Sequence, residues 1–273
     1  MSTQQHLVVV ITGASDGIGA EMAKQLAAKH QLGLALVLAA RNEAGLRAVA
    51  DVCKRFGSVC LLVKTDVSVE SDCRRLIRET VENFGCIDIL INNAGKSAQA
   101  LFSEVDNLGW YQELMRVNFW GSVWCTHAAL PYLKESKGKI VAVSSLAGLV
   151  GVPGRTAYSA SKFAMNGFFE SLRTEVKEAG VQITLAYPGV VATRIRYNGY
   201  NAAGVAAGSS GLKEEQAMPV EECAYQIIQA MEQNQREVVM TAKGKLGRWL
   251  RLIAPGLVDK IAMAALKKEV RPQ

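Results

Sequence analysis

Residues 7–19 read L-V-V-V-I-T-G-A-S-D-G-I-G, and this stretch decides the fold. Its unbroken, mostly β-branched apolar run predicts a strand buried on both faces. Gly13, Gly17 and Gly19 follow at once, and Ile18 begins a stretch with helical spacing. A turn without side chains lets a pyrophosphate approach the positive end of the helix. The stretch therefore predicts a dinucleotide site at the start of a βα unit.

Short apolar runs alternate with longer amphipathic stretches along the chain, the pattern of successive βαβ units. Right-handed crossovers between such units predict an α/β, single-domain Rossmann-like fold over residues 1–242: a doubly wound parallel sheet of about seven strands with helices on both faces. The predicted strands are 7–11, 34–39, 59–64, 87–91, 139–143, 181–186 and 237–240. The predicted helices are 18–29, 43–56, 70–84, 108–134, 156–178 and 220–234.

Composition narrows the class of protein. The 273 residues are 49% hydrophobic and 21% charged, which is typical of one globular domain. The six cysteines form no C-x-x-C pair, and none lies beside a histidine at metal-ligand spacing, so we predict reduced thiols and no metal. The first apolar run is too short for a signal peptide or a membrane span, which predicts a cytoplasmic protein.

Four polar residues have the chemistry of one catalyst: Asn118, Ser145, Tyr158 and Lys162. Tyr158 and Lys162 are four apart in a predicted helix, so they share a face. A nearby ammonium group favours the phenolate and lowers the pKa of a phenol from about 10, which predicts a general acid and base. The alternative is structural: a helix surface pair, a strand-ending serine and an asparagine that binds backbone.

The order and spacing of these motifs resemble the short-chain dehydrogenase/reductase (SDR) family, and within it the hydroxysteroid-dehydrogenase-like branch. The resemblance spans residues 7–240. It is carried by T-G-A-S-D-G-I-G at Thr12, T-D-V at Thr65, N-N-A-G at Asn92, Asn118, Ser145, Y-S-A-S-K at Tyr158 and P-G-V-V-A-T at Pro188.

The resemblance implies a role for each catalytic residue. Tyr158 would donate a proton to a carbonyl as hydride arrives from nicotinamide, and remove it in reverse. Lys162 would lower the pKa of Tyr158 and hold the nicotinamide ribose. Ser145 would bind the substrate oxygen, and Asn118 would position a water linked to Lys162.

The resemblance also implies cofactor contacts. The adenine would meet Asp66, and the adenosine ribose region would meet Asn93, Ala94 and Gly95. The nicotinamide amide would meet the segment that begins at Pro188, through Gly189, Val191 and Thr193.

Cofactor choice depends on the end of the second predicted strand. An acidic residue there would bind a ribose 2′-hydroxyl, but the run is Leu38, Ala39, Ala40, Arg41. Arg41 can pair with a 2′-phosphate instead, with Ser15 as a helper. We therefore predict NADP(H), with NAD(H) as the alternative if Arg41 is only a solvated residue at the start of a helix.

Residues 194–217 follow the sixth strand, and their part at 198–211 is rich in Gly, Ala, Asn and Ser. This position predicts a lid over the ligand site. Substrate contacts are expected from Ser145, Leu146, Val152, Tyr158 and Tyr197, with Tyr200, Lys96 and Ser97 near the mouth. These side chains are mainly apolar, which favours a hydrophobic carbonyl compound such as a steroid, a lipid or a xenobiotic.

The extension 243–273 carries eight Lys/Arg against Asp259 and Glu269, so it accounts for the whole net charge of +6. Apolar residues at helical spacing on both sides of Pro255 predict two short amphipathic helices. They would contact an anionic membrane, cover a pocket mouth or pack on their own domain. The segment has no nucleic-acid-binding module.

Three functional classes remain open. The first is an oxidoreductase that interconverts a ketone or aldehyde and an alcohol, as a homodimer or homotetramer formed through the helices of Asn118 and Tyr158. The second is a nucleotide-sugar epimerase or dehydratase, for which the chain has little room. The third is a non-catalytic dinucleotide-sensing protein.

Overall fold

Seven parallel strands form one sheet in the order β3-β2-β1-β4-β5-β6-β7. The computed structural model describes residues 6–208 and 217–270. Its strands are β1 Leu7–Thr12, β2 Leu34–Ala40, β3 Val59–Lys64, β4 Ile89–Asn92, β5 Lys139–Val143, β6 Gln182–Tyr187 and β7 Glu237–Val239. Every predicted strand is confirmed, as is the Rossmann-like fold class. Strand order reverses on the two sides of β1, which pairs with β2 and with β4. A crevice at the carboxyl ends of these strands is the usual ligand site of such sheets.

Helices cover both faces of the sheet. They are α1 Gly17–His30, α2 Glu43–Arg55, α3 Glu70–Phe84, α4 Gly109–Met115, α5 Gly121–Glu135, α6 Thr156–Glu175, α7 Val220–Glu232, α8 Ala242–Ile253 and α9 Pro255–Val270. Helices α1, α2 and α7 bury their apolar faces in one core layer, and α3, α5 and α6 in the other. Predicted and observed boundaries differ by at most three residues, except over 108–134.

The helix predicted at 108–134 is present, but it contains a π-helical turn that the sequence did not predict. Helix α4 runs into a π-helical turn at Arg116–Trp120, and α5 begins after it. Asn118 lies in that turn and is fully buried. Gly121 packs so closely that a Cβ there would lie 2.7 Å from the carbonyl oxygen of Val67. The extra residue of the π turn thus aims the Asn118 amide inward while the helix packs tightly on the loop after β3.

The two predicted helices of the extension are present as α8 and α9, and both touch the main domain. Arg248 forms an ion pair with Glu237 of β7, and Arg251 donates to the carbonyl oxygen of Leu149. Leu266 of α9 is 9% exposed. None of the helices over 6–208 and 217–270 combines the length and hydropathy that crossing a bilayer requires.

The described part of the predicted lid is anchored beside β4. Tyr200 pairs with the segment after β4, through Gln99 N–H to Tyr200 O at 2.8 Å and Tyr200 N–H to Ser97 O at 3.0 Å. The Tyr200 hydroxyl donates to Glu113 of α4. Residues 209–216 of the predicted lid lie outside the described residues.

Candidate dinucleotide and catalytic site

A cleft of about 1060 Å³ opens at the carboxyl ends of the central strands, where the reversal of strand order predicts a ligand site. Most of the predicted site residues line it: Gly13, Ser15, Gly17, Ile18, Arg41, Asp66, Asn93, Ala94, Gly95, Ser145, Leu146, Val152, Tyr158, Lys162, Pro188, Gly189, Val191 and Thr193. The fold thus brings into one cavity residues that are far apart in sequence.

The glycine-rich turn has the geometry of a phosphate cradle. Gly13 and Gly17 have φ values of 68° and 57°, which L side chains rarely adopt. The Asp16 carboxylate caps α1 by accepting from Gly17 N at 2.8 Å. Gly19 does not line the cleft. It packs against the turn and the loop after β4, since a Cβ at this position would lie 2.4 Å from Asn93 Nδ2 and 2.5 Å from Gly13 O. Its role is close packing behind the turn, and the residues present fit a dinucleotide phosphate.

Thr12 and Asn93 join the glycine turn to the loop after β4. The Thr12 hydroxyl accepts from Asn93 N at 3.0 Å and Ala94 N at 3.1 Å. The Asn93 amide donates to Thr12 O at 2.9 Å and Gly13 O at 3.3 Å. Asn93 therefore lines the cleft while its side-chain nitrogen supports the turn.

Two predicted cofactor contacts, Arg41 and Asp66, face each other at the other end of the cleft. An Arg41 nitrogen lies 3.7 Å from Asp66 Oδ2, with the arginine 71% exposed, so this contact contributes little. The neighbouring Glu43 carboxylate is instead 3.1 Å from Lys64 Nζ and 3.6 Å from Arg47. The Arg41 guanidinium is thus left available to a further anion.

Ser145 and Tyr158 meet where β5 ends and α6 begins. Ser145 starts a short 3₁₀ turn at Leu146–Gly148, and its Oγ accepts from Ala147 N at 3.2 Å. Burial raises the pKa of the Tyr158 phenol above 10, although a hydrogen bond from Ser145 and the charges of Arg155 and Arg196 oppose the rise. Desolvation of the phenol is the largest of these effects. The lowering of this pKa by Lys162 stays a prediction.

Lys162 lies in the cleft, and its ammonium group is hydrogen-bonded to the backbone. Its Nζ is 5.9 Å from the centre of the Tyr158 ring and donates to Val143 O, at the end of β5, at 2.9 Å. Desolvation lowers the pKa of Lys162 itself from 10.5 to about 8. The pair shares one face of α6, as predicted, but the ammonium does not touch the phenol.

Three other predicted residues, Asn118, Tyr197 and Tyr200, lie outside the lining of the cleft. Asn118 is buried behind it: its Oδ1 accepts from Lys96 N at 2.8 Å, and its Nδ2 donates to Lys96 O at 3.0 Å and Ser161 Oγ at 2.9 Å. Its side chain thus holds the loop after β4. Tyr197, predicted as a substrate contact, is 36% exposed and does not line the cleft.

Sequence reasoning missed three arginines in the lining, Arg155, Arg194 and Arg196. Arg155 comes just before α6, three residues ahead of Tyr158, so helical spacing from the catalytic residue was a usable signal. Arg196 comes from the loop after β6, and no local pattern marks it.

Comparison with known proteins shows the family to which the chain belongs. The model of the short chain dehydrogenase family matches residues 7–203. A Dictyostelium discoideum "Dehydrogenase/reductase SDR family protein 7-like" is 36% identical over 98% of this chain and 85% of its own length. The Sesamum indicum "11-beta-hydroxysteroid dehydrogenase A" is 36% identical over 92% of this chain and 73% of its own length.

Two solved structures have the same fold as this chain. A Burkholderia phymatum short-chain dehydrogenase/reductase in complex with NAD aligns with a TM-score of 0.80 and 26% identity, over 94% of this chain and 96% of its own. A Thermococcus sibiricus alcohol dehydrogenase complexed with 5-hydroxy-NADP shares the fold, with a TM-score of 0.70 and 23% identity over 85% of this chain and 94% of its own. The chain belongs to the short-chain dehydrogenase/reductase family, in its hydroxysteroid-dehydrogenase-like branch, and is an NAD(P)-dependent oxidoreductase.

Proposed function

We propose that the protein interconverts a ketone or aldehyde and an alcohol by hydride transfer with NADP(H), with Tyr158 as general acid and base. The observation that carries the proposal is that Ser145, Tyr158 and Lys162 line the same cleft as the glycine-rich turn. A bound nicotinamide supplies or accepts the hydride. The chain's own residues must orient the substrate and move the proton.

In carbonyl reduction, the Tyr158 hydroxyl donates its proton to the substrate oxygen. The raised pKa of Tyr158, caused by burial, keeps this proton in place at neutral pH. Ser145, which lines the same cleft, donates to the same oxygen and stabilises its developing charge. In the reverse direction the buried Lys162 ammonium, 5.9 Å from the ring, favours the phenolate. Asn118 holds the loop at Lys96 against α6, which keeps this wall of the cleft in position.

Tyr158→Phe tests the proposal, with Tyr225→Phe as the matched control because Tyr225 is 53% exposed on α7. A panel of carbonyls is followed by loss of NADPH absorbance. Tyr158→Phe should lower kcat by about 100-fold or more and leave NADPH binding in place, since a positioned acid contributes about 10²–10⁴. Full activity in Tyr158→Phe would refute the role of the tyrosine.

The same assay separates the alternatives. A nucleotide-sugar epimerase or dehydratase would convert nucleotide sugars with no net change in NADPH. A dinucleotide-sensing protein would bind NADPH without turning over any compound of the panel.

The preference for NADP(H) is supported by Arg41, whose guanidinium faces the cleft with only a weak contact to Asp66. A charged hydrogen bond contributes about 1.5–3 kcal/mol, so Arg41→Ala should lower the NADPH/NADH ratio of kcat/KM by about 10–150-fold. Arg47→Ala, on the outer side of α2, is the control and should keep the ratio. Equal use of both cofactors by the unmodified protein would refute the preference.

A hydrophobic substrate is supported by the wall opposite the glycine turn. Leu146, Ala147, Val152, Val190 and Ile195 line this part of the cleft. The relatives named as 11-beta-hydroxysteroid dehydrogenases point to the same class of carbonyl compound. Steroid ketones therefore belong in the panel beside lipid and xenobiotic ketones.

A homodimer or homotetramer is supported by the surface of α4, the π turn and α5. Trp120 is 43% exposed and stacks on Trp124 at 5.8 Å between ring centres. These rings border a mainly apolar groove of about 560 Å³ on the helix that carries Asn118. We assign the groove to a second copy of the chain, and Trp120→Glu should shift the mass measured by light scattering toward the monomer. A monomeric unmodified protein would exclude this assembly.

The extension 243–273 is proposed as a peripheral membrane contact of a cytoplasmic protein. Trp249 and Ile253 are 64% and 82% exposed on one face of α8. Over 243–266, five Lys/Arg stand against Asp259, so this apolar face is bordered by positive charge. The full chain should float with phosphatidylserine vesicles and not with neutral ones. Replacing both Trp249 and Ile253 with serine should abolish flotation, and identical behaviour of both proteins would exclude the contact.

A further inference from the structure

The charges that line the cleft are unevenly distributed. Within the described parts of the chain, Asp16 and Asp66 are the acidic residues of its lining. Both are at the dinucleotide end, where Asp16 caps α1 and Asp66 accepts from Ser68. The basic residues are Arg41, Lys96, Arg155, Lys162, Arg194 and Arg196. Both acidic residues of the described lining therefore lie away from the Tyr158 end of the cleft, at which Arg155 is found.

Arg155 is held in place at this end by neutral groups. Its Nη2 donates to Gln99 Oε1 at 3.0 Å, and its Nη1 donates to Ser97 Oγ at 3.5 Å. Over residues 6–208 and 217–270, no carboxylate lies within 4.0 Å of its guanidinium. The two bonds fix the orientation of the group without neutralising its charge, so Arg155 is preorganised for an anion.

Arg155 is also close to the reacting group. It is the residue just before α6, and Tyr158 follows on the first turn of that helix. The charges of Arg155 and Arg196 both act on the Tyr158 phenol. Arg196 comes from the loop after β6 and donates to Val191 O at 3.3 Å, so the two guanidinium groups reach the same region from different elements.

The cofactor does not account for this positive charge. The phosphates of a dinucleotide are held at the glycine turn, where α1 begins, and a 2′-phosphate would be held at Arg41. Tyr158 marks the opposite end, where the neutral amide of nicotinamide and the substrate meet. What remains for Arg155 to bind is a negative group on the substrate.

We propose that Arg155 forms a subsite for a carboxylate of the substrate, so that the enzyme prefers oxo acids with an apolar body over neutral ketones of the same skeleton. The inference rests on the proposed function and narrows its substrate class. Leu146 and Val152 would contact the apolar body while the carboxylate pairs with the guanidinium. Arg155 binds substrate in this scheme and takes no part in proton transfer.

The test uses the full chain with NADPH and a series of straight-chain oxo acids, each paired with its methyl ester. For the best chain length, kcat/KM for the acid should exceed that for the ester at least tenfold, and the ratio should fall as salt is added. Arg155→Gln should lower the ratio at least fivefold through a higher KM for the acid, and Arg155→Lys should restore part of it. Arg78→Gln, on an exposed arginine of α3, should leave the ratio unchanged.

The outcomes separate the two proposals. Turnover of acids and esters with equal kcat/KM would overturn the subsite and leave the proposed function standing. An equal loss for acid and ester in Arg155→Gln would also overturn it, because that result means that Arg155 only supports the loop at Ser97–Gln99. Absence of turnover for every carbonyl compound would overturn the proposed function and the subsite together.

Discussion

Lys162→Met should make the stability of the protein depend less on pH in the alkaline range. Lys162 is 3% exposed, and desolvation lowers its pKa from 10.5 to about 8. The folded state then binds this proton more weakly than the unfolded chain, so protonation of Lys162 opposes folding. The cost is fully present below the folded pKa of about 8 and disappears as the pH rises through 10.5.

The magnitude follows from the two pKa values. The difference between 10.5 and about 8 is about 2.5, which corresponds to about 3 kcal/mol of destabilisation at neutral pH. From about pH 7 to about pH 10, the unmodified protein should gain about 2 to 3 kcal/mol of unfolding free energy relative to the variant. The variant lacks the hydrogen bond from Lys162 to Val143 O at every pH. This loss shifts its curve of unfolding free energy against pH by a constant amount and does not change the gain between the two pH values.

The assay is urea unfolding of ligand-free protein at a series of pH values, followed by circular dichroism. Lys177→Met removes one positive charge from an exposed position of the same region and is the control, with an expected curve parallel to that of the unmodified protein. If Lys162→Met does not fold, Lys162→Gln serves in its place. Parallel curves for the unmodified protein and the Lys162 variant would refute the reasoning, because they would mean that the buried amine keeps its ordinary pKa.

Three shorter predictions concern the turn, the acid and the core. Because burial raises the pKa of Tyr158, kcat/KM for alcohol oxidation should increase with pH across the neutral and alkaline range. Ser145 opposes this rise in pKa, so Ser145→Ala should move the inflection of the pH–rate profile to higher pH. Gly19→Ala should weaken NADPH binding by about tenfold or more in calorimetry, because its Cβ would lie 2.4 Å from Asn93 Nδ2. The control is Gly167→Ala, which has open space around it and should bind NADPH normally. Phe169→Ala should lower the unfolding free energy by about 3–5 kcal/mol in urea, and a loss below about 1 kcal/mol would contradict the packing of this fully buried ring.

Local patterns were sufficient for most of the fold. The apolar runs and the glycine-rich turn predicted all seven strands and the class of sheet, because burial on both faces requires continuous apolar residues and a tight turn requires glycine. The helix at 108–134 was predicted wrongly at one place. In the π turn, Asn118 bonds to Lys96 and Ser161, which lie on other elements. Such contacts do not change the spacing of apolar residues within the helix, so the local sequence does not indicate the turn.

The order and spacing of the motifs, from the glycine-rich turn at Thr12 to P-G-V-V-A-T at Pro188, by themselves determined the family of this protein and the end of the sheet at which its ligand site lies. Only the tertiary structure decided the electrostatics of that cleft. Lys162 donates to the end of β5, burial raises the pKa of Tyr158, and Arg155 and Arg196 line the cleft from separate elements. The physical reason is that residue spacing is a local property, whereas desolvation and the distance between charges depend on which distant segments pack around a group.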